Sequence, residues 1–207
     1  MRILARSTLI ACALSVLWGA PSGAQRRVQL DVGVPSQATP VTVTASGLFG
    51  DPDMRELVRS GFPASLRYRL ELWRSGGLFN DLEGTHEWEL IVQYDPSGQR
   101  YRVIRREAGR LEDLGSFATL STAQAMLERP LRITLTPQRQ ARRYYYNLVL
   151  DVSALSVSDM DQLERWLRGV RGGSAAGAIG SGMRTLMLRM LGGENRHYER
   201  RSVTFAN

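Results

Sequence analysis

Histidine, serine and carboxylate side chains are the groups in this chain that could carry hydrolytic chemistry. The sequence contains two histidines, His86 and His197, which lie far apart along the chain. A Ser-His-Asp triad needs its histidine beside a nucleophile in space, and the Gly-Ser-Gly run at residues 180–182 lacks the strand-turn-helix setting of a nucleophile elbow. Because His86 opens a predicted strand beside Trp88, we interpret it as an ordinary histidine at the rim of a sheet.

Metal and cofactor sites are not indicated by the ligand-type residues. A zinc site needs three or four ligands, normally histidine or cysteine, and the chain has two distant histidines and the single Cys12. Asp51, Asp53 and Glu56 could offer oxygen ligands to calcium, but the same residues are typical of a helix N-terminus. The glycine-rich run at 172–182 lacks the lysine and the spacing of a phosphate loop. We therefore expect no metal and no cofactor.

Tyrosine and arginine residues cluster at positions 142–146 and form the candidate binding surface. Exposed tyrosine and arginine side chains are common at recognition sites. Because side chains alternate along a strand, two interpretations fit: a recognition surface, or two tyrosines in the core with Tyr145 filling a contact between layers. The predicted binding residues are Arg142, Arg143, Tyr144, Tyr145 and Tyr146.

Three strands predicted within residues 59–106 should form the centre of the fold. Apolar residues occupy alternate positions in the first two strands, which predicts one buried face and one wet face. The sequence Asp95-Pro96-Ser97-Gly98 predicts the turn that follows, with glycine taking the positive φ. The inward residues are Leu66, Tyr68, Leu70, Leu72, Trp88, Leu90, Val92 and Tyr94, and the outward ones include Arg67, Arg69, Glu71 and Trp73.

Short strands and capped helices are predicted on both sides of this centre. Asp51 and Pro52 predict the start of a helix that Gly61 ends, and Ser121 is the predicted cap of a second helix that ends before Pro130. Together these patterns predict a mainly β protein, an antiparallel β-sandwich with several short helices and a C-terminal Gly-rich, helical appendage. Further strands are expected at 27–32, 41–44, 109–117, 131–135, 143–152 and 198–205, and a third helix within 155–169, with Ser158 as its cap.

The N-terminus has the layout of a secretory signal peptide. Arg2 and Arg6 precede an apolar stretch at 8–18 that is too short to span a bilayer, and small residues predict cleavage after Ala24. The run before Cys12 loosely fits a lipoprotein box, but most of the apolar stretch would follow that cut. We therefore expect an exported protein, periplasmic or associated with the cell envelope, whose mature form has no cysteine.

The chain is divided by these signals into four parts: a signal peptide at 1–24, a β-sandwich domain at 25–169, a Gly-rich tether with a short amphipathic helix at 170–195, and a final strand at 196–207 that returns to the sandwich. Two roles fit the amphipathic helix, which either packs on the sandwich or contacts a membrane surface or partner. Its apolar face is formed by Met183, Leu186, Met187 and Met190.

The basic residues are all arginine, and they give a formal net charge of +7. They are spread along strand faces instead of forming one basic run, so no nucleic-acid partner is expected. An envelope protein or an anionic lipid surface is the expected partner. The positive charge would also attract a polysaccharide weakly.

Two parts of the chain resemble an uncharacterised family of exported bacterial proteins, a domain of unknown function. The resemblance covers about residues 61–169 and rests on Gly61-Phe62-Pro63, Glu71-Leu72-Trp73-Arg74 and Tyr101-Arg102-Val103, with the run from Leu155 to Trp166-Leu167 as its C-terminal part. It implies an envelope location and brings no known activity or catalytic residues. The Gly-rich segment and final strand depart from the family pattern.

A non-enzymatic binding or interaction module of the envelope is the function that these observations favour. A small envelope hydrolase is the first alternative, and a small outer-membrane β-barrel is the second. The barrel is disfavoured because its lipid-facing residues must be apolar along every strand, whereas Arg102, Arg105 and Arg106 crowd one short strand.

Overall fold

The computed structural model describes residues 27–34, 40–76, 79–138, 142–154 and 196–207. These residues form two antiparallel sheets and two helices in a β-sandwich-like arrangement, and neither sheet closes into a barrel. The predicted mainly β, antiparallel fold class is confirmed.

Several predictions fall on parts of the chain outside the described residues. They are the signal peptide at 1–24, the helix within 155–169, the Gly-rich tether, and the apolar face of Met183, Leu186, Met187 and Met190.

Ten strands and two helices follow one another along the described chain. The strands are β1 (Gln29–Gly33), β2 (Val41–Ser46), β3 (Ala64–Arg74), β4 (Asp81–Asp95), β5 (Arg100–Glu107), β6 (Arg110–Phe117), β7 (Leu131–Ile133), β8 (Arg143–Ala154), β9 (Arg196–Arg201) and β10 (Phe205–Ala206); the helices are α1 (Pro52–Arg59) and α2 (Leu120–Leu127). The small sheet has the order β1-β2-β7. The large sheet has the order β10-β8-β3-β4-β5-β6, and β9 also pairs with β8 beside β10.

The inner face of the large sheet carries the hydrophobic core. Leu66 and Leu70 of β3 are fully buried, as are Leu148 and Leu150 on the paired strand β8. Trp88 and Leu90 also belong to this core, which confirms their predicted orientation. The small sheet closes the core with Val32, Val41, Val43, Ala45 and Ile133.

The outer face of the large sheet, opposite the core, carries polar side chains, and several of its residues are nevertheless buried. Glu89 accepts hydrogen bonds from Arg67 Nε at 3.3 Å and from the buried hydroxyl of Ser65, and it pairs with Arg106 at 3.1 Å. Apolar side chains also lie on this face, outside the main core: Ile91, Ile104, Tyr145 and Val149 are buried there.

The helix caps agree with the sequence at α1 and differ at α2. Asp51 caps α1 by accepting from the backbone N–H groups of Asp53 and Met54, as predicted. The predicted cap Ser121 is wrong: Thr119 caps α2, because its hydroxyl and that of Thr122 each accept from the other residue's backbone N–H in a capping box.

The turn after β4 places its left-handed residue one position later than predicted. Asp95 Oδ1 accepts from the backbone N–H groups of Ser97 at 3.0 Å and Gly98 at 3.3 Å. This side-chain turn leaves Gln99, with φ 49°, to take the positive φ that was predicted for Gly98.

The last predicted strand, residues 198–205, is divided into β9 and β10. Ser202 interrupts it, because the Ser202 hydroxyl accepts from the backbone N–H of Tyr146 at 2.9 Å and donates to the Val203 carbonyl at 2.8 Å. Neither helix in the described parts of the chain has the length and apolar character needed to cross a bilayer.

Candidate functional site

The five residues of the predicted binding surface do not lie on one surface. Tyr144 and Tyr146 are fully buried on the inner face, as the core interpretation required, whereas Tyr145 lies on the outer face. Arg142 and Arg143 precede them as exposed residues at the beginning of β8. Of this cluster, Tyr145 is therefore the residue that reaches a candidate site.

Tyr145 lies in a line of side chains that crosses three strands of the outer face. Its ring is parallel to that of Trp73, the directly paired residue on β3, with centroids 6.4 Å apart. The guanidinium carbon of Arg201 lies 3.5 Å from the centroid of the Tyr145 ring, a cation–π contact. Because it is enclosed between these two neighbours, Tyr145 is only 7% exposed.

These side chains line a cavity of about 440 Å³, which we call the outer pocket. Its described lining residues are Trp73, Tyr145, Asn147, Glu199 and Arg201. The pocket combines aromatic surface with an amide, a carboxylate and a guanidinium, so it offers hydrogen-bond donors and acceptors beside an apolar wall.

A hydrogen-bonded network fixes the floor of the outer pocket. Asn147 Nδ2 donates to Glu71 Oε2 at 3.1 Å and to Glu199 Oε1 at 2.8 Å. Glu71 also accepts from Trp73 Nε1 at 2.9 Å and pairs with Arg69 at 2.8 Å. Buried polar networks of this kind rigidify their members when each is satisfied, so Trp73 is held in one orientation.

The hairpin between β3 and β4 forms one end of this region. Asn80 Nδ2 donates to the Tyr145 hydroxyl at 3.2 Å, which ties the hairpin to β8. Phe79 and Leu82 are large apolar side chains that remain exposed beside it.

Two further cavities lie at the edge of the sandwich where β9 faces the small sheet. The edge gap, of about 730 Å³, lies between β1 and β9, and its lining includes Asp31, Ser46 and Glu199. The mouth cavity, of about 600 Å³, lies between the two sheets, and its lining includes Leu48 and Val152.

An ion pair joins the two sides of the mouth cavity. Arg196 Nη1 of β9 contacts Asp51 Oδ2, the carboxylate that also caps α1. Asp51 thus serves both as the cap of α1 and as an ion-pair partner.

Neither histidine has a serine as its bonding partner among the described residues. His86 Nε2 lies 2.8 Å from Glu107 Oε1, and His197 Nδ1 lies 2.7 Å from Asp151 Oδ1, its cross-strand partner. Within the described parts of the chain, no three histidine, cysteine, aspartate or glutamate residues are grouped so that they could hold a metal ion.

Two tyrosines on the inner face have raised pKa values. Burial raises the pKa of Tyr146 from 10.0 to about 12, and its hydroxyl donates to the Leu135 carbonyl at 2.6 Å. Burial, with a smaller effect from the Glu128 carboxylate, raises the pKa of Tyr68 further. Both groups are neutral at physiological pH and belong to the core.

Sequence reasoning missed Trp73, Asn147, Glu199 and Arg201 as site residues. Trp73 carried a usable signal, because a tryptophan at an outward position of an alternating strand is a large aromatic on a wet face. Glu199 and Arg201 had no such signal, since their approach to Tyr145 depends on the pairing of β9 with β8.

Comparison of the chain with protein-family models, with curated proteins and with solved structures finds no match. The resemblance of residues 61–169 to an exported bacterial family therefore stays a prediction.

Proposed function

We propose that the protein is a non-enzymatic binding module of the cell envelope and that the outer pocket binds a sugar ring. The observation that carries this proposal is the wall formed by Trp73, Tyr145 and Arg201 beside the exposed carboxylate of Glu199. A sugar ring has apolar C–H faces and hydroxyls that both donate and accept, and the pocket offers a partner for each. The predicted signal peptide supports the envelope location.

The arrangement of the carboxylates favours binding over hydrolysis. Glycoside hydrolysis needs two carboxyl groups that are free to act on opposite sides of the scissile bond. Each oxygen of Glu71 already accepts from a donor of the protein, one from Arg69 and the other from Trp73 and Asn147. Glu71 therefore orients Trp73 and Asn147, and Glu199 is the carboxylate that is exposed to a ligand.

A glycan array probed with the labelled, mature protein tests this proposal. We expect binding to a subset of the immobilised glycans, and loss of about tenfold or more in affinity for Arg201→Ala, because a stacked arginine is a typical anchor of a binding site. Arg110→Ala is the matched control, since Arg110 is an exposed arginine on β6 at the opposite edge of the sheet. The proposal is overturned if no glycan binds, or if the two variants lose affinity equally.

A further inference from the structure

The three cavities follow strand β9 from the outer face to the mouth of the sandwich. Glu199 lines both the outer pocket and the edge gap. Val28 and Tyr198 line both the edge gap and the mouth cavity. Cavities that share lining residues lie next to one another, and we call the three together the groove along β9.

We propose that this groove binds a chain of neutral sugar units, with one unit in the outer pocket and others along β9. The inference rests on the proposed function and specifies its ligand as a polymer. Strand β9 has six residues, and at about 3.3 Å per residue it is roughly 20 Å long. This length exceeds one sugar ring, so the groove has room for several linked units.

The chemistry of the groove changes along its length in a way that suits a glycan. The lining of the edge gap includes the uncharged polar side chains of Gln29, Thr44 and Ser46, which can donate to and accept from hydroxyls, beside the charged Asp31, Glu199 and Arg200. The mouth cavity adds apolar surface from Leu48 and Val152, which can cover the C–H face of a ring.

The charge balance of the groove favours a neutral chain over an anionic one. Its described lining has four arginines against three carboxylates, and two of these residues, Arg196 and Asp51, pair with each other. The paired Arg196 and Asp51 cancel most of each other's field, and the lining as a whole keeps an excess of one positive charge, so its attraction for a polyanion is weak. The charged residues of the lining are Arg27, Arg196, Arg200, Arg201, Asp31, Asp51 and Glu199.

A length series of the glycan found on the array tests the inference. With the monomer, dimer, tetramer and hexamer as probes, isothermal titration calorimetry should show affinity rising by about tenfold or more from the monomer to the longest chain. The affinity should change little between low and high ionic strength, because few charges are neutralised on binding.

A bulky substitution in the edge gap distinguishes binding along the groove from binding in the outer pocket alone. Ser46 is exposed and lines the gap, so Ser46→Trp should reduce the hexamer's affinity to that of the monomer and leave monomer binding unchanged. Ser116→Trp, at an exposed position of β6, is the control and should change neither affinity.

The possible failures are distinguishable. An array on which no glycan binds overturns the proposed function itself. Sugar binding that is independent of chain length, or that Ser46→Trp leaves unchanged for the hexamer, overturns only the groove. A steep loss of affinity with salt would mean an anionic chain, and binding of an extended peptide in place of glycans would mean strand addition at β9; either result overturns the inference as stated.

Discussion

The two faces of the large sheet are built by the same alternation of residues and are stabilised in different ways. On the inner face, Leu66, Leu70, Leu148 and Leu150 pack against one another and against the small sheet with no exposed surface. On the outer face, the buried carboxylate of Glu71 accepts from Trp73 of its own strand and from Asn147 of β8. The buried carboxylate of Glu89 accepts from Arg67 of β3 and pairs with Arg106 of β5.

This difference shows that a sheet face with polar side chains can still exclude water from some of its residues. Ile91 and Ile104, paired directly across β4 and β5, are fully buried on the outer face even though they stand apart from the main core. Burying a carboxylate is unfavourable unless it is paired and hydrogen-bonded, and Glu89 satisfies this condition with Ser65, Arg67 and Arg106.

The largest expected effect is on the inner face. Leu90 is 3% exposed, and Leu90→Ala should lower the free energy of unfolding by about 2–5 kcal/mol, because it removes buried methyl groups and leaves a cavity. Urea denaturation followed by circular dichroism measures this. A free energy of unfolding equal to that of the wild type would contradict the assignment of the two faces.

On the outer face, Glu89→Ala should cost about 1–3 kcal/mol, since it leaves the buried Ser65 hydroxyl and the arginine donors without their acceptor. Glu89→Gln is the matched variant and should lose less, because its amide oxygen can still accept. Equal stability of the alanine variant and the wild type in urea would show that this network contributes nothing.

The inner face should also respond to alkaline pH through Tyr146. Its pKa is raised to about 12, so its contribution to stability is fully present below the unfolded value near 10 and is lost as pH rises towards 12. Tyr146→Phe should cost about 1 kcal/mol at neutral pH through loss of the hydrogen bond to Leu135. Between pH 10 and 12 its stability should fall less steeply than that of the wild type; parallel pH profiles would contradict the assignment.

The smallest effect is expected for the pair of His197 and Asp151 on the outer face. Both side chains are about half exposed, and exposed ion pairs contribute about 0–1 kcal/mol. His197→Gln should therefore change the free energy of unfolding by less than about 1 kcal/mol. A loss as large as that of Glu89→Ala would mean that the outer network is cooperative out to β9.

Alternation along single strands was sufficient to predict the inner face, because Leu66, Tyr68 and Leu70 face inward in any sheet that buries one side. It could not predict the burial of Ile91, since Leu90-Ile91-Val92 is an unbroken apolar run whose second face has no periodic signal. That run was nevertheless a hint of burial on both faces.

The candidate site was predictable only in part, because alternation along one strand gives the face of a residue but not its neighbours on other strands. Alternation places Tyr145 opposite Tyr144 and Tyr146, and this is observed. The meeting of Tyr145 with Arg201 depends on the register of β8 with β9, which are separated in sequence by residues 155–195. Local patterns do not specify a pairing across so long a connection.

The edges of the large sheet bear on how the protein avoids aggregation. An unpaired strand edge is a template onto which another chain can add, yet β9 carries Arg196, Arg200 and Arg201, and β10 has only two residues. At the other edge, β6 carries charged residues and an irregular register beside Gly115, whose φ is 123°. Like-charged or distorted edges repel or misalign a second copy, so both edges of the sheet that the described residues form are poor templates for growth into a fibre.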